Sequence, residues 1–199
     1  MGLPIPLNNY MGGFLKKSYD YFKTLKILSE ILSIIYEKAL LKQDFSSDRI
    51  HFLAEKSELI NNLQNEFITP LERGDIFLLD ESLAEELNSI ISLQEYFNLI
   101  NINDFDVFKT INKSFKSQYL IFSQLKNYKS NLKLFEQCSE EIKYLNTEKK
   151  NIEIHIVGAL RSKVEQPLIK YAIYSAFLDL NRKIYNTVLQ IERILIDNS

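Results

Sequence analysis

The run Phe67-Ile-Thr-Pro-Leu-Glu-Arg-Gly-Asp-Ile76 lies between two long helical patterns and predicts the start of a helix. Thr69 is a suitable N-cap, and Pro70 suits the first helical position, where its missing N–H breaks no hydrogen bond. Glu72 follows Thr69 by three residues, so its carboxylate can accept the N–H of the cap and complete a capping box. We therefore expect a helix that begins at this run.

Amphipathic patterns on both sides of the run predict an all-α fold of six helices. Only 5 glycines and 4 prolines occur in 199 residues, which favours long helices over a sheet with many tight turns. The expected helices cover residues 14–42, 46–67 (capped by Ser46, Ser47 and Asp48), 69–100, 105–126, 132–163 (with an interruption near 146–151) and 167–196. We interpret residues 1–13 as a flexible N-terminal arm and 14–199 as one helical domain.

The prolines Pro70 and Pro167 lie 97 residues apart, and the same shift aligns apolar residues around them. The aligned pairs include Leu71 with Leu168, Ile76 with Ile173, Leu83 with Leu180, and Leu87 with Ile184. This pattern predicts a three-helix unit that occurs twice, at about 14–100 and 104–199, although chance similarity of amphipathic helices is the alternative. Short connections between the helices favour antiparallel neighbours.

Composition excludes several classes of function. The formal net charge is −2 and the sequence pI is about 5.8, so no basic surface for a nucleic acid is indicated. A single cysteine, Cys138, excludes an internal disulfide and fits a cytoplasmic protein. The first ten residues do not resemble a secretory signal, and no apolar stretch approaches the roughly 18 residues of a membrane span. Neither a Gly-rich phosphate loop nor a Gly-x-Ser-x-Gly elbow is present, so we expect no enzyme and no cofactor.

The duplicated three-helix unit, together with the run Phe67–Ile76, resembles the PhoU-like phosphate transport regulators. The run is most similar to the branch of that family associated with low-affinity inorganic phosphate transporters. The resemblance is strongest over residues 61–91 and weaker from residue 152 to the end. It implies a PhoU-like fold of six long antiparallel helices.

The family carries acidic pairs of the form Glu/Asp-x-x-x-Asp, which lie on one helical face and bind iron or zinc clusters. Carried over one position at a time, the four pairs fall on Arg49 and Leu53, Ala84 and Asn88, Asn146 and Lys150, and Asn181 and Tyr185. None of these eight residues is a carboxylate. The comparison therefore implies degenerate metal-binding motifs, and we assign no catalytic, cofactor-binding or metal-binding residue.

Acidic pairs outside the family pattern are an alternative source of metal ligands. Glu81 and Glu85 are four residues apart, and Glu55 and Glu58 are three apart with His51 four residues before Glu55. Such pairs would need further ligands from a second helix. A solvated helix face is the alternative interpretation, since charges at this spacing are ordinary there.

The remaining reactive side chains are few. His155 lies between two isoleucines, which fits a packed or half-exposed histidine better than a metal ligand. Cys138 lies on a helical pattern, and a Cys/His dyad would need one of only two histidines beside it. The aromatic residues Tyr171, Tyr174 and Phe177 share one helical face and indicate packing more than base stacking.

The resemblance implies a regulatory or accessory protein of inorganic phosphate transport that acts through protein–protein contacts. Its expected partners are a second copy of the chain, as a homodimer or larger homo-oligomer, and the cytoplasmic face of a phosphate transporter. It further implies a bacterial, cytoplasmic protein without nucleic-acid binding or membrane insertion. Because the acidic pairs are missing, two other hypotheses stay open: a helical scaffold or dimerisation module unrelated to phosphate control, and a metalloprotein that uses Glu81 and Glu85.

Overall fold

Six α-helices account for most of the residues that the structure, a computed structural model, describes: 19–66, 69–97, 107–127, 132–161 and 167–197. They are α1 (Tyr21–Leu40), α2 (Ser46–Asn65), α3 (Arg73–Phe97), α4 (Val107–Gln124, followed by the 3₁₀ turn Leu125–Asn127), α5 (Leu132–Arg161) and α6 (Pro167–Asp197). These described ranges contain no β-strand, and the predicted all-α fold of six helices is confirmed.

Four of the helices form a ring in the order α1, α3, α6, α4, in which each helix packs against the next and α4 closes on α1. Glu66, just after α2, accepts the N–H of Tyr19 at 2.9 Å, and its carbonyl accepts a bond from Arg73. Since Tyr19 precedes α1 and Arg73 begins α3, these two helices start at the same end of the bundle. α1 and α3 are therefore parallel.

The other two helices of the ring run in the opposite direction. Near the start of α1, Asp20 pairs with Lys126 at the end of α4. In the α3–α6 pair, Ser82 donates to Gln190 Oε1 at 2.7 Å and Ser89 to Asp179 Oδ2 at 3.5 Å, so rising numbers on α3 meet falling numbers on α6. Diagonal partners in the ring, α3 with α4 and α1 with α6, are thus antiparallel and face each other across the core.

Apolar stripes of the helices fill the core between them. The apolar stripe of α1 is fully buried, and consists of Leu25, Leu28, Leu32, Ile35 and Ala39. On α3 and α6 the core residues follow the same three-and-four spacing, including Leu79, Leu83, Leu87 and Ile90, and Ile173, Phe177, Leu180, Ile184, Val188 and Ile191. Each fully buried leucine or isoleucine contributes about 1.5–3 kcal/mol relative to an exposed one, so these stripes determine how the helices associate.

The two remaining helices flank the ring. α2 packs mainly on α1 and buries only Phe52, Leu59 and Leu63. α5 packs on α4 and α6, with Cys138, Ile142 and Leu145 buried. None of the helices in the described part of the chain is both long and apolar enough to cross a bilayer.

The starts of α1 and α2 differ from the sequence predictions. Residues 19 and 20 precede α1, and Asp20 Oδ1 caps it by accepting the N–H of Lys23 at 3.1 Å. Ser46 is the first residue of α2 instead of part of its cap. Its N–H and hydroxyl both donate to Asp44 Oδ1, at 3.0 and 2.6 Å, so the predicted caps Ser46, Ser47 and Asp48 are wrong.

The predicted capping box of α3 is also wrong. The helix begins at Arg73, and the carbonyl of Glu72 accepts the first helical bond, from the N–H of Ile76 at 3.2 Å. The Thr69 hydroxyl donates instead to the carbonyl of Leu71 at 2.6 Å. Leu71 is only 4% exposed, so burial of its side chain holds the connection in a bend and delays the helix by three residues.

The second half of the chain follows the predictions more closely. α6 begins at Pro167 as expected, and α5 continues through 146–151, where the sequence suggested an interruption. The shift of 97 residues places Ile76, Leu83 and Leu87 on buried positions of α6, although Phe77 is exposed where Tyr174 is buried. The division into two repeats stays a prediction, and the arm 1–13 lies outside the described residues.

Candidate functional site

A layer of polar side chains lies inside the ring, among the apolar stripes. It consists of Glu86 from α3, Ser114 and Gln118 from α4, and Asn181 and Thr187 from α6. Asn181 is 2% exposed and the other four are 0% exposed. Glu86 falls here because it occupies a core position of α3, between Leu83 and Ile90 on the buried stripe.

Hydrogen bonds join this polar layer across three helices. Gln118 Nε2 donates to Glu86 Oε1 at 2.7 Å, and Thr187 Oγ1 donates to the same oxygen at 2.6 Å. Thr187 Oγ1 also lies 3.1 Å from the carbonyl of Lys183. Ser114 Oγ donates to Asn181 Oδ1 at 3.3 Å.

Three buried atoms of the layer have no hydrogen-bond partner among the described residues: Glu86 Oε2, Gln118 Oε1 and Asn181 Nδ2. Each unsatisfied buried polar atom costs about 1–3 kcal/mol. Two of the three are acceptors, and they belong to the two side chains that already share the 2.7 Å bond.

Burial raises the pKa of the Glu86 carboxyl to about 8. The hydrogen bonds from Thr187 and Gln118 and the positive charge of Lys183 oppose this rise in the pKa, whereas the negative charge of Glu85 adds to it. Burial dominates because water is excluded from the carboxylate, whose ionised form it would otherwise solvate. Glu86 is thus a carboxyl group whose ionisation lies near neutral pH, in contrast to an exposed glutamate.

On the outer side of the α3–α6 pair lie two small recesses of about 190 and 200 Å³. The first is lined by Asn88, Ser89, Ser92, Ala176, Asp179 and Lys183, and the second by Leu78, Glu81, Ser82, Glu85, Lys183, Asn186 and Gln190. Lys183 lines both, and its Nζ lies 2.7 Å from Ser89 Oγ and 3.1 Å from Asp179 Oδ2. The positive charge of Lys183 is therefore already paired between the two recesses.

The predicted acidic pair Glu81 and Glu85 lines the second recess. Lys56 of α2 donates to Glu81 Oε1 at 2.7 Å and to the buried Asp80 Oδ2 at 2.5 Å, so a cation already occupies the place beside Glu81. Across the described ranges, no three His, Cys, Asp or Glu side chains come together as a metal site requires. The pair thus lies in a groove, but the second helix does not complete it with further acidic ligands.

The other candidate side chains are dispersed. His51 Nε2 lies 3.5 Å from Glu55 Oε1 on α2, and the neighbouring Glu58 is exposed. Cys138 is buried on α5, on the opposite flank of the ring, with its Sγ 3.7 Å from Gln124 Oε1. The side chain of His155 lies outside the described residues.

The eight residues that align with the acidic pairs of the PhoU-like pattern lie partly on the surface and partly in the core. On the outer helices, Arg49 and Leu53 are exposed on α2, as is Lys150 on α5, while Asn146 is partly buried there. Ala84 and Tyr185 are partly buried, with Lys149 placed over the Tyr185 ring at 5.3 Å from its centroid. Asn88 is exposed in the first recess, and Asn181 belongs to the buried polar layer.

Sequence reasoning missed Glu86, Gln118 and Thr187. The one signal was that Glu86 interrupts the apolar stripe of α3, where a charged residue is rarely left without partners. Comparison with models of known protein families finds no match, and comparison with curated proteins finds no significant match.

Proposed function

We propose that this chain is a non-enzymatic, cytoplasmic regulatory or accessory protein of inorganic phosphate transport. It acts through protein–protein contacts, with the cytoplasmic face of a phosphate transporter as its partner. The observation that carries the proposal is the run Phe67–Ile76. This run is the most specific point of resemblance between the sequence and the PhoU-like regulators.

The architecture supports a protein that binds other proteins. Five of the buried polar residues in the described part of the chain lie in one hydrogen-bonded layer, and the buried carboxyl group of Asp80 pairs with Lys56. Directly after the run, Phe77 and Leu78 of α3 are 47% and 51% exposed. Large apolar side chains in this position are available to a partner helix without any change in the core.

The test is phosphate uptake, and expression of phosphate-responsive genes, in cells that lack the chain. We expect both to change on deletion and to recover with the wild-type chain. The double variant Phe77→Ser/Leu78→Ser should fold but fail to restore them, whereas Ile50→Ser, at an even more exposed apolar position on α2, should restore them. Uptake and expression that are unchanged by the deletion would overturn the proposal.

A homodimer forms part of the same proposal. Light scattering on the purified chain should give twice 23.4 kDa. The second candidate function, a helical scaffold or dimerisation module outside phosphate control, is favoured by the missing acidic pairs, for example at Ala84 and Asn88. Both candidates predict a dimer, but under the second one deletion of the chain leaves phosphate uptake unchanged, so the uptake measurement separates them.

A further inference from the structure

We propose that Glu86 carries a proton in the folded bundle and forms a two-hydrogen-bond pair with the Gln118 amide, so that loss of this proton loosens the contact between α3 and α4. The pair would be a pH-sensitive clasp in the centre of the ring. It does not depend on the proposed role in phosphate transport.

The hydrogen bonding of Glu86 and Gln118 indicates a proton on Glu86. Gln118 Nε2 already donates to Glu86 Oε1 at 2.7 Å, while Glu86 Oε2 and Gln118 Oε1 have no partner among the described residues. An ionised carboxylate can only accept hydrogen bonds, and so it cannot supply a donor to Gln118 Oε1. A single proton on Glu86 Oε2 provides that donor and satisfies both atoms.

The Thr187 contact fits the same arrangement. Its hydroxyl has one proton, and Glu86 Oε1 at 2.6 Å is closer than the Lys183 carbonyl at 3.1 Å. Oε1 therefore accepts from both Thr187 and Gln118, which leaves Oε2 as the oxygen that carries the proton. Each oxygen of the carboxyl group then has a defined role.

The surroundings favour the neutral acid. Of the charged groups that act on Glu86, Lys183 of α6 favours the carboxylate and Glu85 of α3 opposes it, while α4 contributes the uncharged Gln118 and Ser114. α1 packs on both α3 and α4, and its buried residues, such as Leu28 and Leu32, are uncharged. Because Lys183 already pairs with Asp179 and Ser89, burial outweighs its attraction, and the pKa of Glu86 lies at about 8.

The Glu86–Gln118 pair lies where it can affect the packing of the ring. α3 and α4 are diagonal partners, and α3 packs mainly on α1 and α6 whereas α4 packs mainly on α1 and α5. The Glu86–Gln118 pair therefore spans the middle of the ring. When the proton leaves, two acceptor oxygens, Glu86 Oε2 and Gln118 Oε1, are left facing a site without a donor. The α3–α4 contact then keeps one hydrogen bond of two.

Carbon-13 NMR of the glutamate side-chain carboxyls tests the proposal on the intact chain. We expect one signal to be that of a protonated carboxyl at pH 6.5 and to titrate with a midpoint near 8, and to be missing in Glu86→Gln. Glu85→Gln is the matched control, because it removes an exposed neighbour and should leave that signal in place.

The outcomes are separable even if a variant does not fold, since the wild-type titration alone shows whether any glutamate titrates near 8. A Glu86 signal that is ionised at pH 6.5, or a midpoint below about 5.5, would overturn the proposal. In Glu86→Gln an amide replaces the neutral acid and can donate to Gln118 at every pH. Amide hydrogen exchange of α3 and α4, corrected for its intrinsic pH dependence, should therefore rise above pH 8 in the wild type and not in the variant.

Discussion

Glu86 on α3 and Gln118 on α4 share a 2.7 Å hydrogen bond across the diagonal of the ring formed by α1, α3, α6 and α4. Both side chains are long enough to reach the centre of the bundle from opposite corners, which shorter polar residues could not do. A buried polar pair of this kind contributes little net stability, yet it penalises any packing of the helices in which the partners do not meet.

Removing one partner of this pair should cost more than removing both. We expect Gln118→Leu to lower the free energy of unfolding by about 1–3 kcal/mol, because Glu86 would remain buried with fewer partners. The double variant Glu86→Leu/Gln118→Leu should recover most of that loss. Urea denaturation measures both, with Leu120→Ala at an exposed position of α4 as the control. A double variant that is less stable than the single one would contradict this expectation.

The pH dependence of stability follows from the raised pKa of Glu86. The folded chain holds this proton up to about pH 8, whereas the unfolded chain releases it near 4.5, so the stability from this group is complete below 4.5 and is lost as the pH rises to about 8. The free energy of unfolding should fall by at most about 1.4 kcal/mol per pH unit, and the total loss between the two pKa values is about 5 kcal/mol. Unfolding free energies from pH 5 to 9 should fall more steeply for the wild type than for Glu86→Gln. Parallel curves would show that Glu86 is ionised in the folded chain.

Sequence periodicity was enough to predict the helices because burial of a stripe is a local property of a helix. The number of helices and the start of α6 at Pro167 are both as expected. The start of α3 was not predictable in this way, because the Thr69 hydroxyl can either cap a helix or bond to the nearby Leu71 carbonyl. Its hydroxyl bonds the Leu71 carbonyl since Leu71 is buried against the core, and that burial is a tertiary contact.

The candidate site depends on tertiary contacts even more. Glu81 and Glu85 were visible as an acidic pair, but Lys56, which pairs with Glu81, comes from another helix. Glu86 was visible as a charged residue in an apolar stripe, yet its partners Gln118 and Thr187 lie 32 and 101 residues away along the chain. Helical periodicity places each residue on a face, and it does not determine which faces meet.

The ion pair of Lys56 with Asp80 should be the main polar attachment of α2 to α3. Asp80 is fully buried, and its Oδ2 accepts from Lys56 Nζ at 2.5 Å. We expect Lys56→Met to cost about 3 kcal/mol, the low end for a broken buried pair because Lys56 is partly exposed. Adding Asp80→Asn to it should restore part of the stability.

The matched control for Lys56 is Lys38, whose pair with Asp48 has the same 2.5 Å length but is more exposed. Lys38→Met should cost less than about 1 kcal/mol. Thermal or urea denaturation compares the two variants directly. Equal losses would mean that burial of Asp80 adds nothing to the cost.

Phe52 should account for much of the packing of α2 on the ring. It is fully buried, whereas the adjacent Leu53 is 48% exposed. We expect Phe52→Ala to lower the free energy of unfolding by about 3–5 kcal/mol, because α2 has few other core residues and a large cavity would remain. Leu53→Ala should change it by less than about 0.5 kcal/mol. Limited proteolysis should cut α2 first in the Phe52 variant, and a cut elsewhere would argue against a locally loosened helix.

Cys138 should react slowly with thiol reagents in the folded chain. It is buried on α5 with its Sγ near Gln124, and burial, together with the negative charge of Glu141, raises the pKa of its thiol. Since the thiolate is the reactive form, both access and ionisation act against labelling at pH 7.5.

A disulfide reagent should label the wild type much faster in urea than in buffer. In a Cys138→Ser background, Ser47→Cys at the exposed start of α2 should label fast in both conditions. If Cys138 in buffer reacts as fast as that exposed cysteine, α5 opens from the ring far more readily than its packing on α4 and α6 implies.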